Sequence, residues 1–351
     1  MNTSIDFHKV IQSPEYDFLR NDPRLGDNII LLGLGGSHAY GTFTPTSDID
    51  IRGIALNPAQ DLLLGRDFEQ VENRATDTVV YSFNKMVDLL SECNPNTIEI
   101  LGLNPEHYLI MSDVGREIVV NSEMFLSKLA KQKFAGYASQ QLRKLENHAI
   151  NGVSQLRHEE HILESIQMAS ETFREKYEFL PEDAVRLFID KSLQEGYDNE
   201  IFMDLRLQHY PLRDWLKMWE EMQNILRSYN KLGMRNSKAI EHDKLGKHQM
   251  HLARLYMMGI ELLRDVKIRT YRGDDIPFLM DIRAGKYLDE NNLPTKEFRN
   301  MMEDWKFQLE EAAAHSPLPD KPDYERINRF KAEVNYSVIA DAQFPLMEET
   351  R

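Results

Sequence analysis

Cysteine is almost absent from this chain, and so are long hydrophobic runs. The 351 residues include one cysteine, Cys93, which excludes an internal disulfide and leaves no cysteine-rich zinc site. No apolar stretch approaches the roughly 20 residues that a membrane-spanning helix requires. The N-terminus MNTSIDFHKV lacks the charged and apolar regions of a signal peptide. We therefore predict a cytoplasmic protein without a membrane segment.

Positive charge is also in short supply. The chain has 42 Lys and Arg residues against 57 Asp and Glu residues, so its formal net charge at pH 7 is −15. This balance argues against coating of nucleic acid through a general basic surface, whereas a local basic cleft can still hold a nucleotide or a strand end. With 42% hydrophobic residues, the chain can bury a sizeable core, and its length suggests two domains or one domain with large additions.

Two kinds of sequence pattern divide the chain. Up to about residue 125, short β-rich apolar runs alternate with turn residues, whereas helical spacing broken by Pro and Gly prevails beyond it. We predict an α/β domain over residues 1–125 and a mainly helical domain over residues 126–351. The predicted strands are 28–34, 48–54 and 77–82. The predicted helices are 84–93, 113–130, 134–148, 181–195, 211–230, 244–265 and 295–313, with a last helix after the prolines at 317, 319 and 322.

The most informative stretch is GGSHAYGT, residues 35–42, followed by SDIDIRG, residues 47–53. Side chains alternate between the two faces of a strand, so Asp48 and Asp50 are expected to project from one face. Two carboxylates this close repel each other unless a cation sits between them, and oxygen ligands of this kind suit Mg²⁺ or Mn²⁺. The pair therefore predicts a divalent metal site.

The residues before this acidic pair predict a phosphate site. Gly35 and Gly36 allow backbone amides to approach an anion closely, and Ser37 adds a hydroxyl. A helix that begins at this point would favour phosphate at its N-terminus. Phosphate and metal together are what in-line phosphoryl or nucleotidyl displacement requires.

The two stretches together resemble the signature of DNA polymerase β-like nucleotidyltransferases, in which Gly-Ser is followed after about ten residues by Asp-x-Asp between apolar positions. The extended pattern GSHAYG…SDIDIRG is similar to an uncharacterised bacterial and phage branch of that superfamily. The resemblance implies a palm-like domain with a mixed sheet. It also implies that Gly36 and Ser37 bind the nucleotide phosphates and that Asp48 and Asp50 hold two metal ions.

A third carboxylate, usually supplied by a later strand, is a further implication of this resemblance. Asp77, at the start of a predicted strand, is the first choice, and Glu99 is the second, because NPNTIE, residues 94–99, also resembles a motif of the branch. The sequence does not decide between the two. Arg52 and Tyr40, which lie within the signature itself, are additional candidates.

A second block that resembles the branch is KHQMHLARL, residues 247–255. Lys247, His251 and Arg254 share one helix face by their spacing and are predicted to contact the triphosphate. Residues 231–289 contain 12 Lys and Arg against 8 Asp and Glu, so a basic wall that includes Arg283 and Lys286 could face the metal site. Without the resemblance, an exposed face paired with neighbouring acids would explain the same residues.

The activity that the resemblance implies is Mg²⁺- or Mn²⁺-dependent transfer of a nucleoside monophosphate from an NTP to an acceptor, with release of pyrophosphate. The acceptor is left open among an RNA end, a protein and a small molecule. A non-catalytic nucleotide sensor with the same fold is the main alternative, and it is favoured if the third carboxylate is missing. A metal-dependent phosphohydrolase ranks last, because paired His-Asp signatures are lacking.

Overall fold

The computed structural model describes residues 5–150, 185–191, 193, 199–233, 242–289 and 293–342. Within these residues, strands β1 to β7 cover Ile29–Leu34, Ile51–Ala55, Gln70–Asn73, Thr78–Ser82, Tyr108–Met111, Val185–Lys191 and Asn199–Leu205. Helices α1 to α13 cover Phe7–Val10, Phe18–Asn21, Gly36–Tyr40, Ala59–Leu64, Phe83–Ser91, Pro95–Ile98, Asp113–Val120, Leu129–Ile150, Leu212–Gly233, His242–Asp265, Ile276–Arg283, Lys296–Ala314 and Tyr324–Asp341. Short 3₁₀ turns cover Pro14–Tyr16, Gly26–Asn28, Glu99–Gly102, Pro105–His107, Ser122–Phe125 and Gly273–Asp275. The predicted fold class, an α/β region with a mixed sheet followed by a mainly helical region, is confirmed.

Five strands form one mixed sheet in the order β3-β4-β2-β1-β5. Strands β2 and β4 run parallel, with Ile51 opposite Thr78, and the other neighbouring pairs are antiparallel. Strand β1 is buried along its whole length, as its run of Ile and Leu predicts for a central strand. Leu34 at the end of β1 lies opposite Ile51 at the start of β2. The connection over residues 35–50 therefore leaves and rejoins the sheet at the same end of these two central strands.

The long helices agree with the sequence pattern to within a few residues. Helices α5, α9, α10 and α12 occupy the predicted segments. The predicted helix over residues 113–130 is instead divided, because α7 ends at Val120 and α8 begins at Leu129, with a 3₁₀ turn between them. None of the described helices combines the length and the apolar character needed to cross a membrane.

The predicted helix over residues 181–195 is wrong where the structure describes it. Val185–Lys191 forms β6 and pairs antiparallel with β7, which places Phe188 opposite Phe202 with ring centroids 5.9 Å apart. β-Branched and aromatic residues favour a strand when a partner strand is available, and the periodicity of so short a segment does not reveal the partner. The other residues of that prediction, apart from residue 193, lie outside the described part of the chain.

The chain divides into two compact units. The first contains residues 1–141, 250–284 and 296–351 and includes the five-stranded sheet, and the second contains residues 142–249 and 285–295 and includes β6 and β7. Residues on both sides of the predicted boundary at residue 125 therefore share the first unit. The assignment of two domains with that boundary stays a prediction.

The last described helix, α13, lies against the helix that follows the sheet strand β4. Phe330 packs edge-on against the buried ring of Phe83, with centroids 5.8 Å apart. The Lys331 ammonium lies 2.8 Å from a carboxylate oxygen of Asp88, and α13 meets α5 again through paired asparagines. The predicted final helix after the prolines is confirmed, and it belongs to the core of the first unit.

Candidate active site

The Gly35–Gly36 turn is pressed directly against Asp50. The Gly35 amide donates a 2.8 Å hydrogen bond to the Asp50 carbonyl oxygen, which joins the end of β1 to the residue before β2. Gly36 has a φ of +51°, and a Cβ at this position would overlap the Asp50 carboxylate, lying 2.6 Å from its Cγ. Only glycine avoids both the backbone strain and the collision. Ser37 follows in the first turn of α3 and is buried.

Asp48 and Asp50 precede strand β2 instead of lying within it. The predicted strand 48–54 is therefore wrong at its start, since β2 begins at Ile51. Where a ladder begins depends on the partner strands, which alternation alone does not reveal. Asp48 is exposed, and the Asp50 side chain keeps 19% of its surface accessible. Both carboxylates stand at the edge of the sheet where the signature turn ends.

Arg52 links the carboxylates of Asp50 and Asp77. Its Nη2 lies 3.7 Å from Asp50 Oδ1 and 3.4 Å from Asp77 Oδ1, and its Nη1 donates a 2.6 Å hydrogen bond to the Asp77 carbonyl oxygen. The parallel pairing of β2 with β4 brings the residues before the two strands to the same edge. Asp77 itself has a φ of +44° and a side chain that is 56% exposed. One guanidinium thus offsets part of the negative charge at this edge.

The donors available for the predicted cation at this edge are the two carboxylates of Asp48 and Asp50. No cluster of three His, Cys, Asp or Glu side chains that could hold a metal occurs within the described residues. Asp48 and Asp50 supply the hard oxygen donors that Mg²⁺ prefers, and Mg²⁺ is commonly held by one or two carboxylates together with substrate phosphates and water. The donor chemistry therefore suits a metal that arrives with a nucleotide.

The other end of α3 carries a hydrogen-bonded cluster around the half-buried Glu99. The Tyr40 hydroxyl donates a 2.7 Å hydrogen bond to Glu99 Oε2, whereas Oε1 accepts no hydrogen bond among the described residues. Burial raises the pKa of the Glu99 carboxyl, and the Tyr40 hydrogen bond and the charges of Arg254 and Arg52 partly oppose this rise.

Arg254 packs on the same cluster from helix α10. Its guanidinium carbon lies 3.6 Å from the centroid of the Tyr40 ring, and its Nη2 lies 2.8 Å from His251 Nδ1. The residue is only 8% exposed. Burial raises the pKa of Tyr40 well above its usual value, so this hydroxyl stays protonated and can hold its bond to Glu99. The structure thus brings together Tyr40, Glu99, His251 and Arg254.

Lys247 is assigned to a different compact unit from the other two residues of its predicted helix face. It is exposed and belongs to the second compact unit, whereas His251 and Arg254 belong to the first. Its predicted role in nucleotide binding is neither supported nor opposed by a contact.

Two arginines near the signature segment have roles that the sequence does not reveal. Arg272 is buried, its amide donates to the Tyr40 carbonyl oxygen, and its Nη1 lies 2.8 Å from Glu261 Oε1. Arg283, predicted as part of a basic wall, is also buried and donates from Nη1 to the Thr42 carbonyl oxygen at 2.7 Å. Excess positive charge in residues 231–289 was the only available signal, and it does not distinguish a buried arginine from an exposed one.

Comparison with known proteins gives an independent view of this site. A model of the RNA repair pathway DNA polymerase beta family matches residues 11–200, which include the signature and Glu99. An uncharacterized 38.9 kDa protein from the nrdC-mobD intergenic region of Enterobacteria phage T4 is 23% identical over 311 residues, covering 80% of this chain and 88% of the phage protein. No solved structure matches. The family match covers more than half of the chain, and this chain therefore belongs to the RNA repair pathway DNA polymerase beta family.

Proposed function

We propose that this protein transfers a nucleoside monophosphate from an NTP to an acceptor hydroxyl and releases pyrophosphate. The observation that carries the proposal is the Gly35–Gly36 turn packed against Asp50, with Asp48 beside it, in a chain of a polymerase beta family. This arrangement brings a glycine-serine turn suited to phosphate next to carboxylates suited to a metal.

Asp48 and Asp50 would hold Mg²⁺ or Mn²⁺, with two ions expected for the reaction. When bound, the ions would neutralise charge on the triphosphate and lower the pKa of the attacking hydroxyl. Gly36 and Ser37 would bind the phosphates through the backbone and the hydroxyl. Lys247, His251 and Arg254 stay proposed as cationic contacts to the nucleotide.

Glu99 is our choice for the residue that accepts the proton of the acceptor hydroxyl. Its Oε2 is engaged by Tyr40, so Oε1 is the oxygen that would take the proton. The acceptor oxygen then bonds to the α-phosphorus, and the bond from that phosphorus to the pyrophosphate oxygen breaks. Burial raises the pKa of Glu99, which suits a general base, whereas Asp77 is exposed and paired with Arg52.

The class of acceptor that we favour is an RNA end, because the family is described by an RNA repair pathway. A protein side chain and a small molecule are the other candidates. The net charge of −15 is compatible with an RNA end bound in a local cleft, but not with extensive coating of RNA. A cytoplasmic location stays part of the proposal.

The test is transfer of label from each α-³²P-labelled NTP, with Mg²⁺ or Mn²⁺, to three fractions: RNA with free hydroxyl ends, protein, and small molecules. We expect labelled RNA and released pyrophosphate. Asp48→Asn and Asp50→Asn should abolish both signals, whereas Asp27→Asn, which changes an exposed aspartate in a 3₁₀ turn, should not. Undiminished transfer in either of the first two variants would refute the assignment of Asp48 and Asp50. Label in the protein or small-molecule fraction, in place of RNA, would identify that class as the acceptor.

A non-catalytic nucleotide sensor is the second candidate, and two features favour it. The described residues include no cluster of three carboxylates that could hold a metal, and Arg52 already forms ion pairs with Asp50 and Asp77. Calorimetry with ATP and Mg²⁺ separates the candidates when it is combined with the pyrophosphate assay. Binding without pyrophosphate release under every acceptor condition would support the sensor.

A further inference from the structure

Three buried arginines from residues 250–284 converge on the signature segment. Arg254 stacks on the Tyr40 ring, the Arg272 amide donates to the Tyr40 carbonyl oxygen, and Arg283 donates to the Thr42 carbonyl oxygen. All three lie in the first compact unit, but beyond residue 200, where the family match ends. Burying an arginine destabilises the fold unless its charge and its donors find partners. Three buried arginines beside one short segment therefore indicate that the conformation of this segment has to be held.

Arg283 holds the loop that connects Ser37 to the acidic pair. The residue is 6% exposed, and its Nη1 donates to the Thr42 carbonyl oxygen at 2.7 Å. Its Nη2 lies 3.5 Å from Thr44 Oγ1, so the guanidinium contacts two residues of the loop that are two positions apart. A charged donor that reaches both acceptors restrains this part of the loop.

The loop then closes on itself immediately before Asp48. The Thr44 amide donates to Ser47 Oγ at 2.8 Å, and the Ser47 amide donates back to the Thr44 carbonyl oxygen at 3.0 Å. This four-residue turn leads directly into Asp48. Movement of the turn would therefore move Asp48.

Asp48 and Asp50 are not held in the same way. Asp50 is fixed by the hydrogen bond from the Gly35 amide, by contact with Gly36 and by Arg52. No hydrogen bond or ion pair holds the Asp48 side chain among the described residues. The turn before Asp48 therefore sets the position of this residue.

We propose that Arg283 is a positioning residue that sets Asp48 for metal binding by clamping Thr42 and Thr44. The inference rests on the proposed function, since it assigns Asp48 to the metal. It extends the catalytic unit to a part of the chain outside the matched residues 11–200. Groups that hydrogen-bond a metal ligand directly typically change metal affinity by about 10- to 100-fold when they are replaced, and for Arg283, which acts on the turn before the ligand, we expect the lower end of that range.

The test compares Arg283→Ala, Arg283→Lys and Thr44→Val with Arg264→Ala. Arg264 is the matched control, because it comes from the same stretch but pairs with Asp265 at the surface. Titration with Mn²⁺, followed by electron paramagnetic resonance, measures metal affinity without turnover. Amide hydrogen exchange of peptides covering residues 42–50 measures the order of the turn.

We expect Arg283→Ala to weaken Mn²⁺ binding about tenfold or more and to speed exchange over residues 42–50 by a similar factor. Millimolar guanidinium should restore Mn²⁺ binding to Arg283→Ala, whereas ammonium at the same concentration should not. A loss of folding alone would not be reversed by guanidinium. Arg283→Lys and Thr44→Val should show smaller losses in the same direction, and they carry the test if Arg283→Ala does not fold.

Each negative result has a distinct meaning. If wild-type protein neither binds Mn²⁺ nor transfers nucleotide, the proposed function fails, and with it the role of Asp48 that Arg283 would serve. If wild-type protein binds Mn²⁺ and the three variants bind it equally well, with unchanged exchange over residues 42–50, the positioning role alone is overturned.

Discussion

The two ends of helix α3 differ in how they are built. At its start, Gly36 faces Asp50 at an acidic edge where one arginine pairs with two aspartates, and Asp48 there is exposed. At its end, Tyr40 is buried between Glu99 and Arg254 with its hydroxyl paired. Five residues thus connect an open site with a fixed one. An exposed edge is accessible to a ligand, whereas a fixed cluster can hold a reactive group in one orientation.

The strongest way to break this comparison is to fill the space beside Asp50. Gly36→Ala should reduce nucleotidyl transfer by about 100-fold or more, because the new Cβ overlaps the carboxylate and the alanine is forced to positive φ. Initial rates of pyrophosphate release measure the effect. Gly65→Ala is the control, since Gly65 has a φ of +62° but no atom within 4 Å of the added Cβ. It should lose about 1 kcal/mol of stability and keep its activity. Equal activity of the two variants would contradict the role of the turn.

The buried end of α3 can be tested through the charge of Glu99. Glu99→Gln can still accept the Tyr40 hydrogen bond but cannot take a proton, so transfer should fall about 100-fold while the fold survives. Single-turnover rates measure the chemical step, and thermal unfolding checks the fold. Transfer at the wild-type rate would remove Glu99 from the mechanism.

Replacing Asp77, the other candidate for the third carboxylate, should reduce nucleotidyl transfer less. Asp77→Asn should lower transfer by only about threefold, because its side chain is largely exposed and Arg52 already takes its charge. The same single-turnover assay, run beside Glu99→Gln, ranks the two residues. A larger loss for Asp77→Asn than for Glu99→Gln would reverse our assignment.

The smallest expected effect is a change in how stability depends on pH. Burial raises the folded-state pKa of Glu99, so the favourable contribution of its protonated form is complete below the pKa of an unfolded Glu, about 4.3. That contribution is lost as the pH rises through the raised pKa. Unfolding midpoints measured from pH 4 upward should therefore fall more steeply in wild-type protein than in Glu99→Gln. Parallel curves for the two proteins would mean that the pKa of Glu99 is not raised by folding.

The sequence predicts the local parts of this site better than the distant ones. The glycine-serine turn, the acidic pair and the buried strand β1 follow from patterns within about 20 neighbouring residues. The start of β2 and the nature of β6 were predicted wrongly, because both depend on what the segment pairs with. The contact of Arg283 with Thr42 spans 241 positions, and no pattern in a single sequence reports such a distance.

Helix α13 has a consequence for the order in which the protein is made. All five strands of the sheet have been synthesised once residue 111 is added. Phe330, which packs against Phe83, is synthesised only after most of the chain. Arg283, which clamps the loop before Asp48, is also synthesised late. A half-made chain that has paired these strands would carry a sheet with an uncovered apolar patch, a state prone to aggregation. The turn before Asp48 would gain its contacts with Arg283 only near the end of translation.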